Sequence, residues 1–173
     1  MLHADKILKS KRISIFGYPA TGKSTLAVAL AKILNIKLYS LDKMKYKNNN
    51  RFEKRDIKDF EIEYNELFQN ESWFIEGNSL DYIDRRFIES DLIIYFKSNK
   101  YISALKYTYR YIRINILKKE IRLGTNGNAD KFDIGAIKWI LNQYHKKIIN
   151  LSELMQKYNH KIIIIKSYRQ LKE

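Results

Sequence analysis

The sequence predicts a doubly wound, three-layer α/β domain, and three observations carry that prediction. Five short runs are almost continuously apolar: 13–16 (ISIF), 36–39 (IKLY), 73–76 (WFIE), 92–96 (LIIYF) and 161–166 (KIIIIK). Runs without alternation suit strands covered on both faces, as in a parallel sheet. Helical periodicity fills the gaps between them. Between the first run and the first helix sits GYPATGKS, Gly17 to Ser24, which fits the Walker A pattern G-x-x-x-x-G-K-[S/T] at every required position. Strand alternating with helix implies right-handed crossovers and a ligand site at the carboxyl ends of the strands.

The first strand and its loop carry the chemistry. Gly17 and Gly22 allow positive φ and a close backbone approach, so that successive amides can face a polyphosphate. Pro19, the sole proline, stiffens the loop. The helix that follows (25–34, TLAVALAKIL) brings the positive end of its dipole and its unpaired first amides to the same spot. Gly17, Tyr18, Pro19, Ala20, Thr21, Gly22, Lys23, Ser24 and Thr25 are therefore the expected nucleotide contacts. Lys23 would reach the β- and γ-phosphates, and the Ser24 hydroxyl is the expected Mg²⁺ ligand.

Asp42 follows the second strand, in YSLDK, and Glu76 ends the third, in WFIEG. In a parallel sheet both emerge on the rim that carries the loop. One acid is needed to hold Mg²⁺ and another to orient an acceptor hydroxyl, roles that Glu76 and Asp42 fit. Asp42 would serve equally as a helix cap, and Glu76 as a solvated strand end. Between these strands, 48–50 (NNN) reads as a mobile surface turn, and Ile57, Phe60, Tyr64, Leu67 and Phe68 recur at helical spacing. After the third strand, Gly77, Asn78, Arg85 and Arg86 in GNSLDYIDRR offer a grip for a small anionic acceptor, though an exposed helix with ordinary charges explains the arginines equally well.

Beyond the fourth strand, Ile102, Leu105, Tyr109, Ile112 and Ile116 form a helical stripe that reads as core. On the same helix Lys106, Arg110 and Arg113 fall at i, i+4 and i+7. Residues 97–122 hold eight Lys or Arg and one acid, Glu120. The stripe leads into 122–130 (RLGTNGNAD), a flexible loop within a lid-like insertion around 113–132. Arg110 and Arg122 would close over the transferring phosphoryl group; a solvated basic face is the alternative. Ile137, Ile140, Leu141, Tyr144, Ile148, Leu151 and Met155 mark a long last helix, and the loop 167–169 after the final strand is placed for adenine. Asn99-Lys100-Tyr101-Ile102 imitates a guanine-reading motif, but Ile102 stands where an aspartate is needed.

Composition narrows the class. With 173 residues one domain, 1–173, is expected. No cysteine is present, which excludes disulfides, thiolate metal sites and cysteine nucleophiles, and His3, His145 and His160 lack ligand spacing. There is no long apolar stretch and no apolar leader, so a cytoplasmic protein without membrane contact is expected. The net charge of +14 raises nucleic acid as a partner, though lysine, isoleucine, asparagine and tyrosine are abundant together and read as a general bias.

Taken together, IFGYPATGKSTLA, LYSLDKMKY, ESWFIEGNS, ESDLIIYF and DKFDIGAIKWI resemble the adenylate-kinase-related P-loop proteins known as DNA topology modulation, or FlaR-like, proteins. The chain departs from that family's pattern at Glu76 and Ser79, where aspartate and tyrosine are usual, and at Lys97-Ser98-Asn99-Lys100, where Asp-x-Pro-Arg is usual. Ile121-Arg122-Leu123-Gly124 replaces a Thr-Arg-Pro-Asp stretch. The resemblance implies a P-loop NTPase of nucleoside-kinase type, with a five-stranded sheet of order 2-3-1-4-5. The expected activity is transfer of the γ-phosphoryl group of Mg·ATP to a small acceptor, a nucleotide among the candidates, by a monomer or homodimer. The alternative is a nucleotide-dependent DNA- or RNA-binding regulator.

Overall fold

The computed structural model describes residues 2–47, 50–113, 134–167 and 170. Helix α1 (Leu2–Lys9) leads into β1 (Arg12–Gly17), α2 (Lys23–Leu34), β2 (Leu38–Ser40) and the single-turn α3 (Leu41–Met44). An antiparallel pair, β3 (Tyr46–Lys47) and β4 (Asn50–Lys54), precedes α4 (Ile57–Leu67), β5 (Trp73–Glu76), α5 (Ile83–Glu89) and β6 (Leu92–Phe96). Then come α6 (Lys100–Tyr111), α7 (Ile134–Trp139), a π turn (Ile140–Tyr144), α8 (His145–Asn150), α9 (Ser152–Lys157) and β7 (Ile162–Ile165). Lys118, Lys119, Arg122 and most of the lid-like insertion lie outside the described residues, as do Asn48, Asn49, Tyr168 and Arg169.

Five parallel strands form one sheet in the order β2-β5-β1-β6-β7, which is 2-3-1-4-5 when its strands are counted along the chain. The chain winds to one side of β1 and then to the other, so the loop after β1 opens where the order reverses. The strands β1, β5 and β6 are buried almost throughout, as their unbroken apolar runs require. One face packs Ile13, Ile15, Phe74, Ile94 and Phe96 against Ile7, Leu26, Ala27 and Ala31 of α1 and α2. The other face packs Phe16, Ile93 and Tyr95 against Ile83, Phe87, Tyr144 and Ile148. Phe60, Tyr64 and Leu67 of α4 cover Trp73 and Ile75. These are the three layers. Among the described residues no helix is long and apolar enough to cross a membrane.

Several sequence expectations shift. The second strand starts at Leu38, not Ile36, because Asn35 ends α2 in the left-handed region (φ 54°) and the Ile36 amide is taken by Ala31 O at 3.0 Å. Asn50, expected in a turn, opens β4; a short hairpin of mostly polar residues carries no apolar alternation to announce it. The run IIII reads as buried on both faces, yet β7 is an edge strand and Ile164 is 56% exposed. The long last helix is interrupted by the π turn and again at Leu151.

The largest correction concerns α6. Its stripe of Ile102, Leu105, Tyr109 and Ile112 is exposed, Leu105 by 71%, and Ser103 and Ala104 are buried instead. The small pair lets the helix backbone come close to the loop after β1, where Ser103 Oγ donates to Pro19 O at 2.7 Å. Asn99 caps this helix, accepting from Tyr101 N at 2.8 Å, which accounts for it without any base recognition.

Candidate active site

Residues 17–24 link β1 to α2 as a tight loop. Gly17 has φ 132°, and a Cβ there would run into the Phe96 carbonyl of β6, so glycine is imposed twice over. Gly22 (φ 95°) turns the chain into α2, offers no side chain to cap it, and no acid sits in that helix's first turn. The helix's leading amides therefore face the loop without a side-chain acceptor, the arrangement that favours an anion. Ala20 also has positive φ (56°), a strain of about 1 kcal/mol or more for a non-glycine residue.

Inside the loop, Tyr18 O accepts from Lys23 Nζ at 2.6 Å and from Thr21 Oγ1 at 2.8 Å. Lys23 is buried, 6% exposed. Loss of hydration pulls its pKa down from 10.5 to about 8, with Glu76 and Asp42 opposing that shift and Arg110 and Arg86 adding to it. A buried ammonium with one carbonyl partner in a ring of backbone amides is the donor set of a phosphate site, so the loop fits a nucleotide polyphosphate.

Glu76, at the end of β5, is buried and receives two hydroxyls: Ser24 at 3.1 Å on Oε2 and Ser40 at 2.7 Å on Oε1. Ser24 and Glu76 thus meet as expected, and Ser40 joins them from the end of β2. Among the described residues no three His, Asp or Glu side chains cluster as a metal cage. One carboxylate with hydroxyls fits Mg²⁺ held jointly with phosphate oxygens.

The second arginine of GNSLDYIDRR is not on an exposed face but close enough to Glu76 to feel its charge. Arg86 is 0% exposed; it donates to Ser14 Oγ (2.8 Å), Ile15 O (2.8 Å) and Gly77 O (3.1 Å). It ties β1 to the turn after β5. Burial lowers its pKa to about 10, which still leaves it charged at neutral pH. Its neighbour Arg85, expected at the acceptor side, lies over the Phe68 ring (4.4 Å) and donates to Asn65 of α4.

The other expected acceptor residues converge on the same rim. Asp42 lies in the first turn of α3, and a Cβ on Gly77 (φ 136°) would stand 3.5 Å from its Oδ1. Asn78 Oδ1 lies 3.3 Å from the hydroxyl of Tyr144, which donates to Gly17 O at 2.7 Å. Tyr18 OH shares a 2.7 Å hydrogen bond with His145 Nδ1. The π turn and α8 thereby grip the loop at two consecutive residues, a role no spacing in the sequence announced. Arg110 stacks on the Tyr107 ring (5.4 Å), and its charge is felt at Lys23.

No protein-family model matches the chain, and no curated protein sequence matches it. Among solved structures, a gluconokinase from Sinorhizobium meliloti 1021 is 13% identical over 87% of this chain and 98% of its own, with a TM-score of 0.45. A deoxyadenosine kinase from M. mycoides, with bound dATP, is 14% identical over 90% of each chain, TM-score 0.46. A shikimate kinase from Bacteroides thetaiotaomicron is 16% identical over 94% of this chain and 92% of its own, TM-score 0.46.

Proposed function

We propose that the protein is an ATP-dependent phosphotransferase that moves the γ-phosphoryl group of Mg·ATP to the hydroxyl of a small acceptor, and that its place is among the FlaR-like P-loop proteins. The observation that carries this reading is the convergence of Lys23, Ser24, Glu76 and Asp42 on one rim, with Ser24 bonded to Glu76 and the charges of Glu76 and Asp42 acting on Lys23. A site that merely held nucleotide would need the loop; an acid beside the acceptor-side turn suits hydroxyl chemistry.

The loop amides and Lys23 would bind the β- and γ-phosphates, and Ser24 with Glu76 would hold Mg²⁺, which shields phosphate charge when bound. Asp42 would orient the acceptor hydroxyl and take its proton. The hydroxyl oxygen forms the new bond to phosphorus as the bond to the β-phosphate oxygen breaks, its electron pair leaving on ADP. Arg110 would supply positive charge beside the transferring group, and Asn78 and Gly77 the wall of the acceptor site.

The test is coupled ADP release from Mg·ATP against nucleoside monophosphates, nucleosides and small metabolites. Turnover should appear with one acceptor class and fall by about 10³-fold or more in Lys23→Ala, whose fold survives because the loop amides and glycines remain. Wild-type turnover in that variant would remove the loop from the mechanism.

A further inference from the structure

On the Asp42 side of the site stands a second cation, Lys45, whose ammonium meets ring faces and is close enough to Asp42 and Asp81 to feel their charge. Lys45 follows the last residue of α3, three positions after Asp42, and is half-buried. Its Nζ lies 5.6 Å from the ring centre of Phe60 and 5.4 Å from that of Tyr82. These two rings meet edge to face, at 5.1 Å, and make a fixed apolar wall that holds the ammonium by its charge and covers its stem. Asp81, which acts on it electrostatically, is engaged at 2.6 Å by Lys147.

Acids and cations around Lys45 are matched two against two. Asp42 and Asp81 favour the Lys45 ammonium, Lys147 and Lys54 oppose it, and loss of hydration is the strongest influence, lowering its pKa. An ammonium that has given up water on one side, with ring faces in exchange, keeps donors that call for an anion on its open side. Its position says whose anion. The strand β2, which feeds α3, lies two places from β1 in the sheet, about 10 Å across at ordinary strand spacing. Lys45 and Asp42 are close enough for their charges to interact, so a small molecule whose hydroxyl sits at Asp42 has another group within reach of this corner.

We propose that Lys45 anchors the acceptor, and that the acceptor is a hydroxylated small acid whose carboxylate or phosphate group docks on the Lys45 ammonium over Phe60 and Tyr82. This inference rests on the phosphotransferase reading above and narrows its substrate class. Arg85 does not share in this binding, being held by Phe68 and Asn65.

The experiment is coupled ADP release by the full chain with Mg·ATP and matched acceptors: glycerate and gluconate, nucleoside and sugar monophosphates, and the neutral glycerol, glucose and nucleosides. Each is run with wild type, Lys45→Met and Lys45→Arg. Acids should turn over and their neutral counterparts should not. Lys45→Met should raise the KM of the responding acid by about tenfold or more while kcat moves far less, as expected for loss of a charge-assisted bond. Lys45→Arg should recover much of that loss, which a merely structural role would not predict. The arm that responds distinguishes carboxylate from phosphate. Turnover of neutral acceptors, or a KM for the acid unmoved in Lys45→Met, overturns this inference and leaves the phosphotransferase standing. No turnover with any acceptor, while ATP still binds, overturns both.

Discussion

Lys23 shows how one side chain links burial to ligand affinity. With its pKa lowered to about 8, the folded protein prefers the neutral amine more than the unfolded chain does. Between about 8 and the ordinary 10.5 the unfolded state therefore binds more protons, and this lysine's cost to stability is relieved as pH rises. Under the proposed function nucleotide binding runs the opposite way, because phosphates would require the ammonium. We expect ATP affinity to fall by up to about tenfold per pH unit above pH 8, with proton uptake on binding. Titration calorimetry in buffers of different ionisation heat measures that uptake, and an affinity flat from pH 7 to 10 would contradict it. At the same scale, the placement of Gly17, Lys23, Ser24 and Glu76 on one rim was legible because it depends on residue type and position after a strand. Ser40 and Arg86 were not: each acts through a partner more than thirty positions away, Glu76 for Ser40 and Ser14 for Arg86.

At the scale of elements, the π turn, α8 and α6 set the loop after β1 in place. The π turn at 140–144 widens the helix where Tyr144 enters the core, and such turns often accompany functional sites. Tyr144 is fully buried, with its hydroxyl on Gly17 O. Tyr144→Phe should cost about 1–2 kcal/mol in urea unfolding, since it strands a buried carbonyl, and should weaken ATP binding several-fold. Unchanged ATP affinity with reduced stability would make the contact structural alone. Periodicity found α6 but misjudged its face. An apolar stripe records what a helix can bury, whereas the burial of Ser103 and Ala104 depends on how close the loop comes, through Pro19. The exposed edge of β7 was hidden for a like reason: IIII has the same pattern in the middle of a sheet as at its margin.

Over the whole molecule, the net charge of +14 must be weighed against the built site. Scattered lysines attract any polyanion, yet counterion release makes such binding steeply sensitive to salt. Anisotropy titrations with duplex DNA should show binding at low salt that weakens beyond about 10⁻⁶ M by physiological ionic strength, with or without ATP. Tight binding retained there, or one that appears with ATP alone, would favour the nucleic-acid regulator over the phosphotransferase.

The sequence by itself determined the α/β class, the positions of the sheet strands to within two residues, and the glycine-bounded loop after β1 with the acid that ends β5. These follow from local periodicity and from backbone requirements met within a few adjacent residues. Tertiary structure alone decided the rest: Ser40 on Glu76, Arg86 across β1 and the Gly77 turn, Tyr144 and His145 on the loop, and Lys45 over Phe60 and Tyr82. All but the short Arg86–Gly77 contact join segments well separated in the chain, and only the crossovers and packing of the sheet bring those together.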